Sequence, residues 1–274
     1  MIHETKVIAF TPAGRTRHMR ILEKYVAAQV EKGVIDEWVL FENAYDRADR
    51  ATTLELRAKY PWVTVFENEG HHDAFFIHSY YKQFTDREAV YVRLDDDLVY
   101  IAPDAIEKLV EYRLANKGPF LVFPTIIGNT RMSYHMQQKG IIPAEWGTVS
   151  NNILDSLAWT DPVFIERVHH LALAHLTKTD RGLKDFALDS FMLDSIDNGH
   201  ISVNCFAMLG NDMVDIGDKI VSDEERYLSM YRPGELGRLN AICGDAIVVH
   251  YAYHTQREAL DKTDILAQYE ALAT

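Results

Sequence analysis

The sequence predicts an α/β fold in which a mostly parallel sheet is flanked by helices. Segments with strand-like and helix-like patterns alternate through the first half of the chain, and such alternation is typical of parallel sheets with helices on both faces. Residues 89–94 (AVYVRL) form a nearly continuous apolar run, as expected for a strand that is buried on both faces. The length of 274 residues suits one large domain with a sizeable core.

The elements of the first half follow from their hydrophobic patterns. Residues 17–33 predict a helix because Met19, Leu22, Val26 and Val30 recur roughly along one face. The apolar runs KVIAFT, IDEWVLFE, VTVFEN and PFLVFP predict strands. In chain order, the predicted elements are a strand over 6–11, a helix over 17–33, strands over 35–42 and 63–68, a helix over 74–85, a strand over 89–94, a helix over 103–116 and a strand over 119–124.

The second half of the chain has a less regular pattern. Residues 125–152 predict a loop with short elements, and the polar residues 223–237 predict a loop with some helix. No repeat, low-complexity tract or Gly/Ser linker divides the chain, so we predict a single domain with halves of about 1–125 and about 126–274. The remaining predicted elements are helices over 161–177, 183–196 and 256–271 and strands over 201–209 and 246–250.

Charge and cysteine content restrict the classes of function. The formal net charge of −13 disfavours binding to nucleic acid or to an anionic membrane surface. Cys205 and Cys243 do not form a CxxC pair, and two buried reduced thiols are the simplest interpretation. The sequence has no Asn-x-Ser/Thr site, no signal-peptide pattern and no apolar stretch long enough to span a membrane, so we expect a cytoplasmic protein.

Three consecutive aspartates, Asp95, Asp96 and Asp97, follow the strand predicted over residues 89–94. Adjacent carboxylates repel one another, and Mg²⁺ or Mn²⁺ neutralises them because both ions favour carboxylate oxygen. Since residues i and i+2 of an extended segment point the same way, Asp95 and Asp97 can face one ion together. An acidic turn that caps the following helix is the structural alternative. Removing one of these like charges, as in Asp97→Asn, should leave the fold stable.

Polar residues also follow other predicted strands at their carboxyl ends, where open α/β sheets bind ligands. The motifs GxGxxG, GxxxxGK[ST] and GxSxG are absent, so the sequence does not indicate a dinucleotide site, a P-loop or a nucleophile elbow. The candidate binding positions are Thr11, Pro12, Ala13 and Arg15 after the first strand, Asn43 after the second, Arg93, Asp95 and Asp96 at the fourth, and His250 at the last.

The segment VYVRLDDDLVYIAPDAIEKL, a strand followed by a DxD motif, a short strand and a helix, resembles the GT-A glycosyltransferase superfamily. The opening strand, the following TPAGR and the long helix are similar to the nucleotide-binding entry of that superfamily. The resemblance covers about residues 5–125 and implies a GT-A-type, Rossmann-like fold. In that superfamily, the DxD motif holds a metal that bridges the diphosphate of a nucleotide sugar. The resemblance thus implies Mn²⁺ or Mg²⁺ as cofactor and a UDP- or GDP-type sugar as donor.

The resemblance also implies which residues hold the metal and the donor. Asp95 and Asp97 match the DxD motif, and His250 matches a late histidine that many members add as a metal ligand, with His254 as the alternative. Packing at a strand end is the structural explanation for His250. Residues 223–238 are interpreted as a lid over the donor or as a solvated loop. The implied donor-binding residues are Thr11, Pro12, Ala13, Arg15, Asn43, Arg93, Asp95, Asp96, Arg232 and Arg238.

An inverting member of the superfamily also needs a base, which the resemblance places at an acidic residue that starts a helix beyond the DxD strand. Asp185 and Asp189 in KDFALDSFMLD match this placement, although the familiar Glu-Asp pair is absent. On a helix over residues 183–196, Asp189 lies on the apolar face and Asp185 lies one turn earlier on the same side. Burial would raise the pKa of Asp189 and suit it to accept a proton. A structural ion pair or a cap is the alternative for Asp189.

The sequence therefore predicts a metal-dependent glycosyltransferase, a hexosyl- or pentosyltransferase with an inverting course, that moves a sugar from a nucleoside-diphosphate sugar to an acceptor hydroxyl. Residues 1–125 form the predicted nucleotide-sugar half, and residues 126–274 form the acceptor half. The acceptor is open among a glycan, a small molecule, a protein and a modified DNA base. Two other functions stay open, namely a nucleotidyltransferase of similar α/β fold and a non-catalytic metal- or sugar-binding module.

Overall fold

A nine-stranded sheet forms the centre of the computed structural model, which describes residues 2, 4–43, 47–67, 74–178, 182–194, 199–221 and 223–273. The predicted segment 63–68 ends one residue beyond the described range, and the predicted segment 183–196 ends two residues beyond it. The strands are β1 (Val7–Ala13), β2 (Glu37–Glu42), β3 (Val63–Phe66), β4 (Val90–Leu94), β5 (Leu98–Ile101), β6 (Val122–Ile127), β7 (Phe191–Met192), β8 (Cys205–Leu209) and β9 (Ala241–His250).

Six strands of this described sheet run in the same direction. The order is β3-β2-β1-β4-β8-β6-β9-β5, and β7 pairs with β9 outside this path. β1 is parallel to β2 and β4, β2 is parallel to β3, and β6 is parallel to β9. β8 lies antiparallel between β4 and β6, so β4 and β6 share one direction. The predicted α/β fold with a mostly parallel sheet is confirmed, and the carboxyl ends of six strands lie at one edge.

Helices flank the sheet, and α1 buries the predicted face through Met19, Leu22 and Val26. Among the described helices, none has both the length and the apolar character that crossing a bilayer requires. The α-helices are α1 (Thr16–Glu31), α2 (Arg47–Lys59), α3 (Ala105–Ala115), α4 (Thr130–Gln138), α5 (Pro162–Lys178), α6 (Gly210–Ile216), α7 (Glu224–Arg226), α8 (Arg232–Leu236), α9 (His254–Leu260) and α10 (Ile265–Leu272). The other helical segments are the 3₁₀ helices Ala74–Gln83, Ala144–Trp146 and Lys184–Phe186 and the π-helical turn Tyr227–Tyr231.

The hydrophobic core packs on the sheet, and the residues buried in it confirm two predictions from the sequence. Every residue of β4 is buried, as its nearly continuous apolar run predicts. Cys205 and Cys243 are both free and buried, which confirms the interpretation as reduced thiols. The predicted helix over residues 74–85 is a 3₁₀ helix, and the predicted carboxyl-terminal helix is divided into α9 and α10.

The helix predicted over residues 183–196 is wrong in its described part. The segment is mostly extended, and Phe191–Met192 is the short strand β7, which pairs antiparallel with β9. The amide of Leu188 donates to the carbonyl of Gly244 (2.9 Å). Glycine permits this approach, because a Cβ on Gly244 would lie 2.1 Å from the carbonyl oxygen of Leu188. Backbone pairing with β9 therefore overrides the local helical pattern.

Residues 125–152 are more ordered than predicted. They complete β6 and form α4, which follows Asn129. The side-chain oxygen of Asn129 accepts hydrogen bonds from the amides of Arg131 (3.1 Å) and Met132 (3.3 Å). Asparagine is a preferred residue at this position before a helix. The sequence thus contained a helix-start signal that the hydrophobic pattern did not reveal.

His169 on α5 is a buried histidine that makes stability depend on pH. Its Nε2 donates to the carbonyl of Tyr251 (2.7 Å), and its Nδ1 accepts from the hydroxyl of Tyr269 (3.1 Å), so the neutral ring is satisfied. Burial lowers the pKa of His169 to about 4, whereas an unfolded histidine has a pKa of about 6.5. The unfolded state thus takes up the proton first, and we expect the fold to lose about 1–2 kcal/mol between about pH 7 and pH 5.

Urea unfolding of the parent and of two neighbouring histidine variants measures this pH effect. We expect the loss of unfolding free energy on acidification to shrink in His169→Gln, because that variant lacks the buried imidazole. The loss should persist in His170→Gln, which changes the exposed neighbour. Equal losses in all three proteins would show that His169 does not cause the effect.

Candidate functional site

The loops at one edge of the sheet bring the predicted site segments together. β2, β1 and β4 are neighbours in the sheet, so the loop after β1 lies beside the aspartates that follow β4. The end of β9 joins them because the amide of Tyr251 donates to the carbonyl of Asp97 (3.0 Å). Leu98 at the start of β5 also pairs with His250 at the end of β9. The triple aspartate and the last strand therefore share one site.

Asp97 and His250 face each other at this edge. The Nδ1 of His250 lies 3.3 Å from the carbonyl oxygen of Gly128, which only accepts, so in the neutral ring the hydrogen is on Nδ1 and the lone pair is on Nε2. Nε2 lies 3.5 Å from Oδ2 of Asp97. Gly128 has a φ of +87°, and a Cβ there would lie 2.4 Å from the carbonyl oxygen of His250, so only glycine fits. The carboxylate of Asp97 and Nε2 of a neutral His250 could therefore both bind one cation.

Two arginines from different elements neutralise the second and third aspartates. Arg15, at the start of α1, donates from Nε to Asp96 (3.1 Å), and its Nη1 forms an ion pair with Oδ2 of Asp97 (3.0 Å). The amide of Gly14 also donates to Asp96 (3.0 Å). Arg257 on α9 donates from Nη2 to Oδ2 of Asp97 (2.8 Å). The loop after β1 and the helix after β9 are therefore both bound to the aspartates.

Arg93 neutralises the first aspartate from within β4. Its side chain is only 5% exposed, and its Nε donates to Oδ1 of Asp95 (2.8 Å). The guanidinium also bonds to the carboxylate of Glu224 and to the hydroxyl of Tyr81 (3.3 Å). That hydroxyl donates to Glu224 (2.6 Å). Because Glu224 begins α7, this network anchors α7 to the strand that carries the aspartates.

The pKa values of Asp95 and Asp97 are shifted in opposite directions. Burial raises the pKa of Asp95 to about 6, an effect that Arg93 reduces and Asp97 reinforces. Burial also acts to raise the pKa of Asp97, but the charges of Arg15, of His250 in its protonated form and of Arg257 outweigh it and hold that pKa well below its ordinary value. Asp97 is therefore ionised at neutral pH and stabilised by its neighbours. The expectation that Asp97→Asn leaves the fold stable assumed unpaired like charges, whereas Asp97 is paired with Arg15 and Arg257, so we expect the variant to lose stability.

A cleft of about 420 Å³ opens beside these groups, within the range typical of small-molecule sites. A second cavity of about 420 Å³, lined in part by Tyr100, Lys108 and Ile247, contains none of the predicted site residues. The carboxylates and arginines thus distinguish the first cleft as the candidate site. Its lining residues are Pro12, Gly14, Arg15, Asn43, Ile77, Arg93, Asp95, Asp96, His254 and Arg257.

Two predicted donor-binding residues are buried in β1 rather than exposed in the cleft. Thr11 and Ala13 are both fully buried. The hydroxyl of Thr11 accepts a hydrogen bond from the indole of Trp38 (2.9 Å), so it serves the core. The strand continues to Ala13, two residues beyond its predicted end, and this extension explains their burial. The predicted residues that do line the cleft are Pro12, Arg15, Asn43, Arg93, Asp95 and Asp96.

The two arginines predicted on residues 223–238 do not line the cleft either. Arg232 forms an ion pair with Glu235 (3.1 Å) on the same short helix. Arg238 forms an ion pair with Asp212 (2.6 Å) and donates to carbonyls just before β6. Those carbonyls lie at the amino end of β6, and hence at the sheet edge opposite the aspartates. The donor-binding prediction for both arginines is therefore corrected.

Asp185 and Asp189, the predicted bases, also lie outside the lining of the cleft. The side chain of Asp189 is 93% exposed and lies 3.1 Å from Nζ of Lys139. Asp185 is on a 3₁₀ turn, 3.6 Å from Nδ1 of His175. The apolar helix face that was expected to bury Asp189 does not exist, because the segment pairs with β9. The inverting course that was argued from these residues therefore has no support from their position.

We now expect Asp189→Asn to leave turnover of a nucleotide sugar within about twofold of the parent, as is usual for an exposed side chain away from a site. Initial rates at saturating donor measure this, with Asp97→Asn as the inactive comparison. A fall of on the order of 100-fold, with unchanged donor affinity, would return Asp189 to the role of base.

Three polar or charged side chains of the site were not predicted from the sequence, namely those of Arg257, Glu224 and Tyr81. They lie on separate elements far apart in the chain, and none belongs to a recognisable motif. One signal was available, since an arginine within a buried strand, as at Arg93, requires acidic partners. That requirement predicts a partner such as Glu224, but its position depends on the tertiary fold.

The residues at this edge of the sheet fit a divalent cation whose ligands come partly from the protein and partly from a diphosphate. Oδ1 of Asp97 has no hydrogen-bond partner within the described ranges, although the side chain is only 3% exposed. Oδ1 of Asp97 and Nε2 of a neutral His250 together give two protein ligands. Among the described residues, no three His, Cys, Asp or Glu side chains converge into a complete metal cage. Mg²⁺ sites commonly combine one or two carboxylates with waters and substrate phosphates, so two protein ligands are consistent with such a site.

Comparisons with known proteins found no match by sequence and several solved structures of similar fold. No protein family model and no curated protein matches the chain. A structure of GalNAc-T7 with UDP, GalNAc and Mn²⁺ aligns over 92% of this chain and 44% of that chain, at 15% identity and a TM-score of 0.55. The chain therefore spans less than half the length of that GalNAc-T7 chain.

Two further solved structures were found at lower similarity. The mannosyltransferase PcManGT from Pyrobaculum calidifontis, in complex with GDP-Man and Mn²⁺, aligns over 98% of this chain and 64% of its own, at 14% identity and a TM-score of 0.49. The 4-diphosphocytidyl-2C-methyl-D-erythritol synthase from Anaerococcus prevotii aligns over 100% and 98%, at 12% identity and a TM-score of 0.48.

The likeness to GalNAc-T7, at 15% identity, shows the fold alone, namely a mostly parallel sheet flanked by helices. The fold and the site together define the class of protein. It is an α/β protein of this type, with an acidic, arginine-lined cleft at the carboxyl edge of its sheet.

Proposed function

We propose that the protein is a metal-dependent glycosyltransferase that moves a sugar from a UDP- or GDP-type nucleotide sugar to an acceptor hydroxyl. The observation that carries this proposal is the facing pair of Asp97 and His250 beside the arginine-lined cleft. The fold likeness supports it, since the GalNAc-T7 structure contains UDP, GalNAc and Mn²⁺. An acidic chain with a net charge of −13 would need this local concentration of cationic groups to hold a diphosphate.

The cleft residues supply the groups that a nucleotide sugar needs. The guanidinium groups of Arg15 and Arg257 are partly exposed and match phosphate oxygens in bidentate geometry. The side-chain oxygen of Asn43 is buried and has no hydrogen-bond partner in the described structure, so it is available to accept one from the nucleoside. Asp97 and His250 would hold the metal, and a bound Mn²⁺ or Mg²⁺ would stabilise negative charge on the leaving diphosphate.

The proposed transfer exchanges one bond at the anomeric carbon of the sugar. The acceptor oxygen forms a bond to that carbon, while the bond from the carbon to the diphosphate oxygen breaks. The electron pair of the broken bond leaves with the nucleoside diphosphate, and the acceptor proton passes to a base or to water. Arg15 and Arg257 favour this step by pairing with the charge that develops on the diphosphate. Both halves of the chain contribute, since Arg15 comes from the first and Arg257 from the second.

A thermal-shift screen of nucleoside diphosphates and nucleotide sugars, with and without Mn²⁺, tests the proposal. A ligand at about 100 times its dissociation constant should add about 2.7 kcal/mol to the free energy of unfolding. We expect UDP- or GDP-type ligands to stabilise the protein only when Mn²⁺ is present. Stabilisation by nucleoside triphosphates alone would favour nucleotidyl transfer, and no stabilisation by any nucleotide would favour a non-catalytic module.

His250→Ala is expected to weaken Mn²⁺ binding in the donor complex by at least about tenfold. The reason is that even partners one shell beyond a metal commonly contribute 10- to 100-fold in affinity, and we propose His250 as a direct ligand. Mn²⁺ titrations at saturating nucleoside diphosphate measure this. His254→Ala is the matched control, because His254 lines the cleft but was only the alternative ligand. Unchanged Mn²⁺ affinity in His250→Ala would assign that histidine to packing.

A further inference from the structure

Two arginines are bound to the carboxylate of Asp97, which is proposed to hold the metal. Oδ2 of Asp97 accepts a hydrogen bond from Arg257 (2.8 Å) and forms an ion pair with Arg15 (3.0 Å), while Oδ1 has no hydrogen-bond partner in the described ranges. The two guanidinium groups come from different elements, since Arg15 is at the start of α1 and Arg257 is on α9. A cation that approaches Asp97 therefore meets two positive charges already in place.

The chain itself balances the charge of the triple aspartate. Three carboxylates, those of Asp95, Asp96 and Asp97, are paired with the three guanidinium groups of Arg93, Arg15 and Arg257. The usual reason for a metal at such a cluster, the repulsion between like charges, is thereby largely removed. A divalent cation that enters alone gains little from the carboxylates and is repelled by the nearby arginines.

The arginines differ in their freedom to leave the aspartates. Arg93 is buried and also bound to Glu224, so it is fixed. Arg15 and Arg257 are about one third and one quarter exposed and line the cleft, where a diphosphate would lie. Phosphate oxygens form charge-assisted hydrogen bonds with guanidinium groups as carboxylates do. A diphosphate therefore offers Arg15 and Arg257 a replacement partner within their reach.

We propose that Arg15 and Arg257 are exchange residues, which neutralise Asp97 in the free protein and transfer to the diphosphate when the donor binds. This exchange frees Asp97 for the cation only when the diphosphate is present. Cation and diphosphate then strengthen each other's binding, and the strengthening is reciprocal because the two equilibria are linked. The inference rests on the proposed function, since it takes a nucleoside diphosphate as the ligand of the cleft.

The proposal predicts effects of opposite sign for one substitution. Arg257→Gln removes a charge that repels the cation, so MnCl₂ alone should bind on the order of tenfold more tightly than to the parent. The same variant lacks a diphosphate partner, so UDP or GDP in the presence of MnCl₂ should bind on the order of tenfold more weakly. A merely structural role for Arg257 would weaken both. Calorimetry and the electron paramagnetic resonance signal of free Mn²⁺ measure the two affinities.

Three further variants make the test decisive. Arg257→Lys keeps the charge and should retain weak binding of MnCl₂ alone. Arg17→Gln is the matched control, because Arg17 pairs with Asp261 at the surface and does not touch Asp97. If Arg257→Gln does not fold, Arg15→Gln carries the same prediction.

The outcomes separate the exchange from the proposed function. An unchanged or weaker affinity for MnCl₂ alone in the glutamine variants, with a parent that binds MnCl₂ and UDP or GDP together, would overturn the exchange and leave the proposed function intact. A parent that binds no nucleoside diphosphate in the presence of MnCl₂ would overturn the proposed function, and the exchange with it. Tighter binding of MnCl₂ with weaker binding of the nucleotide supports the exchange.

Discussion

Asp97→Asn is expected to lose Mn²⁺-dependent binding of the nucleotide sugar by on the order of 100-fold or more. The neutral amide is a poorer ligand for a hard cation than a carboxylate, and Asp97 has a buried carboxylate oxygen without a hydrogen-bond partner among the described residues. The variant should also lose about 1–3 kcal/mol of unfolding free energy, because Arg15 and Arg257 lose their shared acceptor. Donor titrations with Mn²⁺ and urea unfolding measure the two effects.

Asp245→Asn is the control for Asp97→Asn. Asp245 is an exposed aspartate near Lys108, and its replacement should change neither donor binding nor stability by a measurable amount. A folded Asp97→Asn protein that binds Mn²⁺ and donor as tightly as the parent would remove Asp97 from the metal site.

Arg93→Met should reduce the free energy of unfolding by about 3–5 kcal/mol, which is the usual effect of removing one partner from a buried ionic network. The change leaves the carboxylates of Asp95 and Glu224 near each other without their shared cation. It also removes the contact that anchors α7 to β4. Urea unfolding measures the change, and the slope of free energy against urea concentration should stay the same if only stability changes.

Arg87→Met is the matched control for Arg93→Met. Arg87 forms an ion pair with Asp215, but both side chains are half exposed. Its loss should reduce stability by less than about 1 kcal/mol, since solvent screens an exposed pair. Similar losses in the two variants would mean that the buried network around Arg93 contributes no more than a surface ion pair.

The sequence predicted the first half of the fold well because its elements depend on local patterns. The apolar run of β4 and the periodic face of α1 are buried as predicted. The placement of Asp95 and Asp97 at a strand end followed from the same pattern. The general rule for parallel sheets then predicted that His250, far away in sequence, lies at the same edge.

The errors arose where tertiary pairing decides the local structure. The pattern over residues 183–196 is helical, yet the described segment is held by backbone hydrogen bonds to β9. That pairing places Asp189 in solvent, and no periodicity within the segment could reveal it. The donor-binding prediction for Arg232 and Arg238 was wrong for a related reason. Their partners lie on the same helix or at the opposite edge of the sheet. Arg257 and Glu224 could be found only once the fold placed them beside the aspartates.

The measurement that tests the central claim most directly is the identity of the group released from the nucleotide. Nucleotide sugars and nucleoside triphosphates are incubated separately with the protein and Mn²⁺, and phosphorus NMR identifies the products. The account predicts that a UDP- or GDP-sugar yields the nucleoside diphosphate, only with Mn²⁺ present and not with Asp97→Asn. Release of pyrophosphate from a nucleoside triphosphate, with every nucleotide sugar left intact, would contradict it.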